Sequence, residues 1–344
     1  MLSNQIDKSA VRIYDTRTKI AGCGFFLAGC IITCAHVVKH ALGIAHNSTT
    51  RPLDIVSFDF PLLNSRTILA GRVNKWFTEA DVTSLEILSP LPENISAPRL
   101  IKADNLWGHS FRAYGFPRGH DEGVWASGRI LHKVSNGWLE IEDVKQTGLF
   151  VQPGFSGGAI WDEEYHGIVG MVIGSDANLQ SRVAYVIPTN KLIELFPEIE
   201  EYAVKPIDID LQIITELLNL GLYSEAYQKC SKVLLIVPQH PVINLLGALS
   251  LLRGMGADKH RAVSITRAEK HLSIVCYSTK YRPTALAILG IIKYDSYYAH
   301  GLDEGSPSME EIRRELQTYS NQVDTSFFNL IKASEAALAY LDLR

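Results

Sequence analysis

The chain has 344 residues, which is enough for two or three domains with sizeable cores. Hydrophobic residues make up 47% and charged residues 20%, a globular composition that excludes a disordered or collagen-like protein. The formal net charge is −4, with 18 basic and 22 acidic residues up to residue 204 and 15 of each after it. Neither part has the surplus of positive charge with which proteins bind the phosphate backbone of nucleic acids, so no nucleic-acid partner is expected.

Cysteine usage and the first residues indicate a reducing compartment. The five cysteines are odd in number and widely spaced, so no disulfide framework is expected. Residues 1–11 carry Asp7 and Lys8 and lack the apolar core of a signal peptide. Residues 20–38 contain no charged side chain, but their glycines favour two buried strands around a turn over a membrane span. The sequence therefore predicts a cytoplasmic protein without membrane contact.

Up to about residue 190 the pattern is that of short strands separated by turn residues. Alternating or continuous apolar runs of this length and spacing are typical of an all-β barrel or sandwich and argue against a βαβ series. The predicted strands are 11–14, 24–27, 30–33, 54–58, 84–88, 111–114, 128–133, 138–141, 167–173 and 183–187.

From residue 208 onward the apolar residues recur at intervals of three and four positions, which predicts helices with short connections. We place the domain boundary between 1–204 and 205–344, after a Glu-rich closing helix and linker. A weak repeat pairs Ala226 with Ala268, 42 residues apart, and Gly247 with Gly290, 43 apart. Such small residues let stacked helical hairpins approach closely, although an Ala- and Leu-rich helical domain can also show this spacing by coincidence.

Residues 208–295 resemble tetratricopeptide repeats, with a degenerate consensus. The resemblance implies an all-α domain of stacked hairpins that recruits a protein. Ser306 and Ser308, followed by Glu310 and Glu311, predict the start of a last long helix, because serine caps a helix and carboxylates are favourable at its N-terminal end.

Three pieces of the β region form a chemical constellation. His36 ends an apolar strand, Asp81 opens another, and Ser156 lies within a glycine cluster, with gaps of 45 and 75 residues between them. A serine hydroxyl becomes a nucleophile when an imidazole takes its proton, and the imidazole needs a carboxylate to fix its tautomer. Glycines allow the tight turn that aims backbone N–H groups at an oxyanion, which assigns those donors to Gly154 and Ser156.

The motifs resemble the chymotrypsin-fold (trypsin-like) serine peptidases, and in detail their bacterial HtrA-like branch. Residues 146–159 around the serine, 22–25 before the histidine and 185–190 near the end of the β region follow that branch's pattern. The resemblance covers about residues 9–195. It implies two six-stranded β-barrels with the triad in the cleft between them. By motif match it also implies His36 as general base, Asp81 as its orienting acid and Ser156 as nucleophile. If Asp81→Ala kept full activity, Asp54 or Asp59 would be the next candidate for the acid.

The sequence departs from this family at two positions beside the triad. Val37 stands where many secreted members have a disulfide-bonded cysteine, which agrees with a cytosolic protein. Phe155 stands where trypsin-type zymogens carry an aspartate that pairs with the newly cut N-terminus, so other contacts must hold the Gly154–Ser156 backbone. On this basis we expect the peptidase to be latent alone and switched by contacts made through residues 208–344.

Two rival sites have less support. Residues 154–158 also fit the G-x-S-x-G elbow of α/β-hydrolases, but 159–162 run into a turn and another strand where that fold requires a helix. A metal site from Cys30, Cys34, His36 and His40 lacks a second ligand pair of zinc spacing, and buried free thiols explain the cysteines. No metal and no cofactor are expected.

The leading hypothesis is an intracellular serine endopeptidase that works through an acyl-enzyme, with a helical domain that recruits a protein substrate or a regulatory partner. Trypsin-like peptidases joined to helical repeats resemble components of bacterial signalling and defence systems. The alternative is a catalytically silent trypsin-like scaffold that acts by binding. In the trypsin-like fold the primary pocket has its base six residues before the nucleophile, here Phe150. Ile173, Gly174 and Ser175 are assigned to the same pocket, which should reject basic side chains.

Overall fold

The computed structural model describes residues 6–63, 67–143, 149–176, 178–319 and 322–343. The chain divides into two compact units, Met1–Pro206 and Ile207–Arg344. The elements of the first unit are β1 (Ala10–Tyr14), β2 (Ile20–Leu27), β3 (Cys30–Cys34), α1 (Ala35–Leu42), β4 (Ile55–Asp59), β5 (Leu69–Phe77), β6 (Val82–Ile87), β7 (Leu100–Ile101), β8 (Ser110–Gly115), β9 (Val124–Lys133), β10 (Leu139–Glu142), β11 (Ala159–Asp162), β12 (Gly167–Ser175), β13 (Val183–Pro188), α2 (Thr189–Leu195) and β14 (Ala203–Val204).

The first barrel joins its strands in the order β1-β2-β3-β6-β5-β4 and closes by antiparallel pairing of β1 with β4. Its interior is apolar, with Phe25, Phe58 and Leu85 fully buried. β5 was absent from the strands that the sequence predicted. It shows the required alternation, since Leu69, Gly71 and Val73 are buried while Arg72 and Asn74 are exposed, so its period of two was a usable signal.

The second barrel joins β11-β8-β9-β10-β13-β12 and closes by pairing of β11 with β12. β7 and β14 extend this sheet beyond β12 by parallel pairing. Trp161 on β11 is fully buried. The predicted fold class, a double barrel of chymotrypsin type followed by helices, is confirmed, and β11 leads through a turn into β12 where an α/β-hydrolase requires a helix.

The second unit is helical throughout its described residues. Its main helices are α3 (Pro206–Asn219), α4 (Tyr223–Leu234), α5 (Pro241–Leu252), α6 (Ala262–Val275), α7 (Arg282–Ser296), α8 (Met309–Tyr319) and α9 (Glu335–Tyr340). α5 and α7 are apolar on nearly all sides and lie in the middle of one core, while the neighbouring helices present one buried face each. Its likeness to tetratricopeptide repeats stays a prediction.

Local signals in this unit are visible in the structure. Ser308 and Glu311 form a reciprocal cap at the start of α8, in which each backbone N–H donates to the other residue's side chain. A Cβ on Gly290 would lie 2.9 Å from Leu341 Cδ1, so this glycine permits the close approach that its spacing suggested. At Gly247 the nearest contact would be 3.7 Å, to the His271 ring, so no such approach depends on that glycine. No helix in the described ranges combines the length and apolar character needed to cross a bilayer.

Candidate active site

His36 lies in the first turn of a helix. β3 ends at Cys34 and α1 begins at Ala35, so the histidine stands just past the strand whose end the sequence assigned to it. The N-cap residue Cys34 makes no side-chain capping bond. Instead, Asp81 Oδ1 accepts the His36 backbone N–H at 2.8 Å. A carboxylate 45 positions away along the chain therefore satisfies one of the free donors with which every helix begins.

Asp81 also holds the imidazole of His36. Its Oδ2 lies 2.5 Å from Nδ1, while the backbone N–H of Ala35 donates to the Asp81 carbonyl at 3.1 Å. Asp81 adopts a left-handed backbone conformation, with φ +54°, which aspartate tolerates better than most residues. Because an ionised carboxylate only accepts hydrogen bonds, Nδ1 carries a proton and Nε2 keeps a lone pair. The predicted acid and base are thus joined in the geometry that general-base chemistry requires.

Ser156 follows a tight turn between the two barrels. The Phe155 N–H donates to the Gln152 carbonyl at 3.1 Å, with Pro153 and Gly154 between them and φ +108° at Gly154. Proline at the second position and a positive-φ glycine at the third are the pattern of a type II turn. In the part of the chain that the structure describes, the N–H groups of Gly154 and Ser156 donate to no protein acceptor. Both residues line a surface cavity that His36 also lines.

The carbonyl groups of Gly154 and Ser156 accept hydrogen bonds that hold this turn in place. The Gly154 carbonyl accepts from the Phe116 N–H at 2.9 Å and from the Cys23 thiol at 3.1 Å, and the Ser156 carbonyl accepts from the Cys23 N–H at 2.9 Å. Burial raises the pKa of Cys23 to about 12, so the thiol remains a donor. A Cβ at Gly157 would lie 2.1 Å from the Cys23 carbonyl oxygen, which shows how closely β2 approaches the loop.

The Phe155 side chain anchors the loop in the second barrel. It is fully buried and lies directly against Gly115, where a Cβ would come within 2.3 Å of the ring. An apolar anchor therefore occupies the position where zymogens of the resembled family use a carboxylate. The expectation of latency rested on the missing carboxylate and required other contacts to hold the Gly154–Ser156 backbone, and Phe155, Phe116 and Cys23 make contacts of that kind. Latency itself is decided by the activity of the purified full-length protein with and without host lysate.

The anchor leads to a first prediction. Phe155→Ala should lower the free energy of unfolding by about 3–5 kcal/mol, because it leaves a cavity beneath the turn, and it should also lower kcat. Phe155→Leu keeps an apolar side chain at this position, so its free energy of unfolding and its kcat should both fall clearly less. Urea denaturation followed by fluorescence measures the stability. A loss in Phe155→Ala below about 1 kcal/mol would contradict this packing role.

Two cavities meet at the triad. One, of about 720 Å³, is lined by His36 and Ser156 together with Pro117, Arg118 and Gly154. The other, of about 550 Å³, is lined by His36, Asp81 and Ser156 and includes Ile173, Gly174 and Ser175. The structure therefore brings these three predicted pocket residues to the serine. The sequence missed four further side chains that line this second cavity: Lys39, His46, Thr78 and Trp138.

Phe150 is placed differently from the other predicted pocket residues. It lines neither cavity among the described residues, and its ring centroid lies 4.7 Å from Cζ of Arg182. Arg182 in turn pairs with the buried Asp143 at 2.7 Å. Residues 144–148 fall outside the described ranges, and with them the first part of the serine motif, Gln146, Thr147 and Gly148. The role of Phe150 at the pocket base stays a prediction.

Cys34 lies beside His36 and Asp81. Its sulfur, His36 and Asp81 hold donor atoms within 4.8 Å of one another, which is close enough to consider a metal ion. However, His36 Nδ1 is bound to Asp81, and the Cys34 thiol donates to the Val172 carbonyl at 3.3 Å. Burial, and then the charge of Asp81, raise the pKa of Cys34 far above its usual range, so the thiolate that a metal prefers is disfavoured. The donor set does not fit a metal site.

Part of the chain is similar to known proteins. Residues 22–171, which include His36, Asp81 and Ser156, match the family model of the trypsin-like peptidase domain. No curated protein sequence matches the chain. The solved structures similar to it include the serine endoprotease from Yersinia pestis, at 17% identity and a TM-score of 0.44, over 58% of this chain and 65% of that one. They also include an inactive serine-to-alanine mutant of Rv3671c from M. tuberculosis H37Rv, at 17% identity and a TM-score of 0.40, over 58% of this chain and 90% of that one. Residues 22–171 of the N-terminal unit are thus similar to the trypsin-like peptidase domain.

Proposed function

We propose that the chain is a serine endopeptidase in which Ser156 is the nucleophile, His36 the general base and Asp81 the residue that orients the base. One observation carries the proposal. Asp81 binds Nδ1 of His36, so the lone pair of Nε2 is available in the cleft that Ser156 also lines. Among the described residues no hydrogen bond joins Ser156 to His36, although both line the same cavity. The proposal requires Oγ and Nε2 to come within hydrogen-bond distance in the substrate complex.

In the acylation step, Oγ of Ser156 attacks the carbonyl carbon of the scissile peptide bond while Nε2 of His36 takes the hydroxyl proton. Negative charge develops on the former carbonyl oxygen, which the N–H groups of Gly154 and Ser156 stabilise. The imidazolium is stabilised by Asp81 and then gives its proton to the leaving amine as the C–N bond breaks. An ester between Ser156 and the N-terminal part of the substrate remains.

Deacylation repeats the same transfers with water. Nε2 of His36 takes a proton from a water molecule that attacks the ester carbonyl, and the same two N–H groups bind the second oxyanion. The proton then returns to Oγ of Ser156 as the carboxylic acid leaves. The turn that presents Gly154 and Ser156 is held by neighbouring contacts before substrate arrives, so little reorganisation is required in the transition state.

A fluorophosphonate probe tests the proposal directly. The full-length protein should become covalently labelled at Ser156, because only an activated hydroxyl attacks the phosphorus centre at a useful rate. Ser156→Ala should not be labelled, and His36→Ala should be labelled far more slowly, while Ser175→Ala serves as a control serine in the adjacent cavity. Absence of labelling in correctly folded protein, both alone and with host lysate, would instead support the alternative, a catalytically silent scaffold that acts by binding.

Specificity provides a second prediction. We expect the primary pocket to favour small or aliphatic side chains and to reject Arg and Lys by a factor of about 100 or more, because an apolar base leaves a buried cation unpaired. Cleavage-site profiling on a proteome-derived peptide library measures the preference. A profile dominated by Arg or Lys at the primary position would contradict it.

The proposal extends to the whole chain. We assign the 207–344 unit the role of recruiting a protein substrate or a regulatory partner, and the protein to the cytoplasm, within a bacterial signalling or defence system. The near-equal numbers of acidic and basic residues after position 204 support a protein partner over a polyanion. Co-purification of Ser156→Ala from the native host, with partners identified by mass spectrometry, tests this role. Recovery of the protein alone would count against it.

A further inference from the structure

A groove runs between α4 and α6 in the helical unit. This α4–α6 groove encloses about 340 Å³. It is lined by Tyr227, Leu234, Pro238, Asn244, Arg267, Lys270, His271 and Ile274. α5 packs against both α4 and α6 and forms the floor, because its residues are almost all buried. Tyr227 and Leu234 form one wall, Ile274 lies on the other, and these side chains make the base of the groove apolar.

The polar groups on the groove floor are already paired within the protein. Asn244 is 1% exposed, and its Oδ1 lies 2.8 Å from Nδ1 of His271. Its Nδ2 donates to the carbonyls of Pro238 and His240. Burial lowers the pKa of His271, which keeps the imidazole neutral near pH 7. The floor therefore offers a ligand an apolar surface and no free polar partner. Charged groups of a ligand have to pair with side chains at the rim of the groove.

The rim carries positive charge without a counterion. Arg267 and Lys270 are exposed, and within the described ranges neither has an ion-pair partner, nor does any carboxylate line the groove. Lys229 and Arg313 of this unit do have carboxylate partners, Asp210 and Asp342. Two uncompensated cations over an apolar base favour a ligand that combines negative charge with an apolar group.

Large apolar side chains lie exposed just beyond one end of the groove. Leu235 is 84% exposed and Ile236 78%, directly after α4, and Tyr277 is 89% exposed, directly after α6. α5 begins shortly after the end of α4, and Asn244 in the first turn of α5 contacts His271 near the end of α6. α4 and α6 therefore end on the same side of α5. Leu234 and Ile274, which line the groove near these ends, connect its base to the exposed patch.

We propose that the α4–α6 groove binds a protein segment in which acidic side chains contact Arg267 and Lys270 and an apolar side chain rests against Leu234 and Ile274, with further apolar contact at Leu235, Ile236 and Tyr277. The charge and the apolar base lie side by side, so an acidic and apolar peptide satisfies both, whereas a purely anionic polymer leaves the apolar patch in water. The inference builds on the recruiting role proposed above and adds the location of the site and the chemistry of its partner.

Display of random 12-residue peptides tests the proposal, with full-length Ser156→Ala as the immobilised target. This variant separates the two proposals, because binding does not depend on whether the triad is active. Enriched peptides should carry an excess of Asp and Glu beside Leu, Ile, Phe or Met. Their affinity should fall at least about tenfold in the Arg267→Glu/Lys270→Glu double variant, as expected for opposed charges at a contact. Peptides with Lys in place of the acidic residues should bind that double variant better than the original target.

Controls distinguish the groove from general electrostatics. Lys259→Glu/Arg314→Glu makes the same charge change at exposed positions outside the groove and should alter affinity less than about twofold. Leu235→Ser/Ile236→Ser should weaken binding without lowering the unfolding midpoint, since both side chains are exposed. Enriched peptides without acidic excess, equal loss in both charge-reversal variants, or equally tight binding of a single-stranded oligonucleotide or of anionic vesicles would overturn the proposal. So would a selection that enriches no peptide.

Discussion

Replacement of Ser156 or His36 by alanine should reduce kcat/KM for a protein substrate by a factor of about 10⁴ or more, while the unfolding midpoint stays nearly unchanged. Without Oγ no acyl-enzyme forms, and without Nε2 nothing takes the hydroxyl proton, so either loss removes the same step. The double variant should therefore be scarcely slower than either single one. Both side chains line an open cleft, so their removal creates no buried cavity. Rates are measured on an unstructured fluorescent protein substrate, with circular dichroism as the folding control.

Asp81 should behave differently from the other two. Asp81→Asn should lower the rate by about 10⁴, because an amide donor toward His36 favours the wrong tautomer. Asp81→Ala should in addition reduce stability, because it removes the acceptor for the His36 backbone N–H at the start of α1. Asp59, one of the other acids considered from the sequence, is bound by Arg12 at 2.6 Å and by Tyr14 at 3.0 Å. Full activity of Asp81→Ala would remove Asp81 from the proposed triad.

Gly154→Ala should reduce kcat by about 10²–10³ with little change in KM, which is the scale of losing one oxyanion donor. The added Cβ would lie 2.3 Å from the Phe116 carbonyl oxygen, at a position with φ +108°. The turn has to move to relieve this contact, and the Gly154 N–H then leaves the direction of the developing charge. Steady-state kinetics resolve kcat from KM, and the same substrate used for the triad variants is suitable.

Gly29→Ala provides the matched control for this variant. Gly29 also has a positive φ, +77°, but a Cβ there would meet no atom within 4 Å. Both substitutions therefore carry backbone strain in the left-handed region, and only Gly154→Ala adds a steric conflict beside the nucleophile. We expect Gly29→Ala to lose some stability and to keep its kcat. Equal kcat values for the two variants would show that the Gly154 N–H does not serve the oxyanion.

The approximate positions of ten strands, the change from strands to helices near residue 204 and the three motifs were all readable from local sequence. These features depend on periodicity, turn residues and glycine spacing within short windows, and so does the capping pair Ser308 and Glu311. Even β5, which was missed, shows the alternation that would have identified it. The chemistry assigned to His36, Asp81 and Ser156 likewise required only the order and type of the residues.

Tertiary structure decided how those residues are held. Asp81 accepts a backbone N–H at the start of α1 and binds the imidazole of His36 from 45 positions away. Phe155 stabilises the turn before Ser156 because Gly115, on β8, leaves room for its ring. The position of Phe150 beneath Arg182, and the groove that places Arg267 beside Leu234, also depend on contacts between distant segments. A single sequence encodes local backbone preference directly, whereas these contacts exist only once the barrels have closed and the helices have packed.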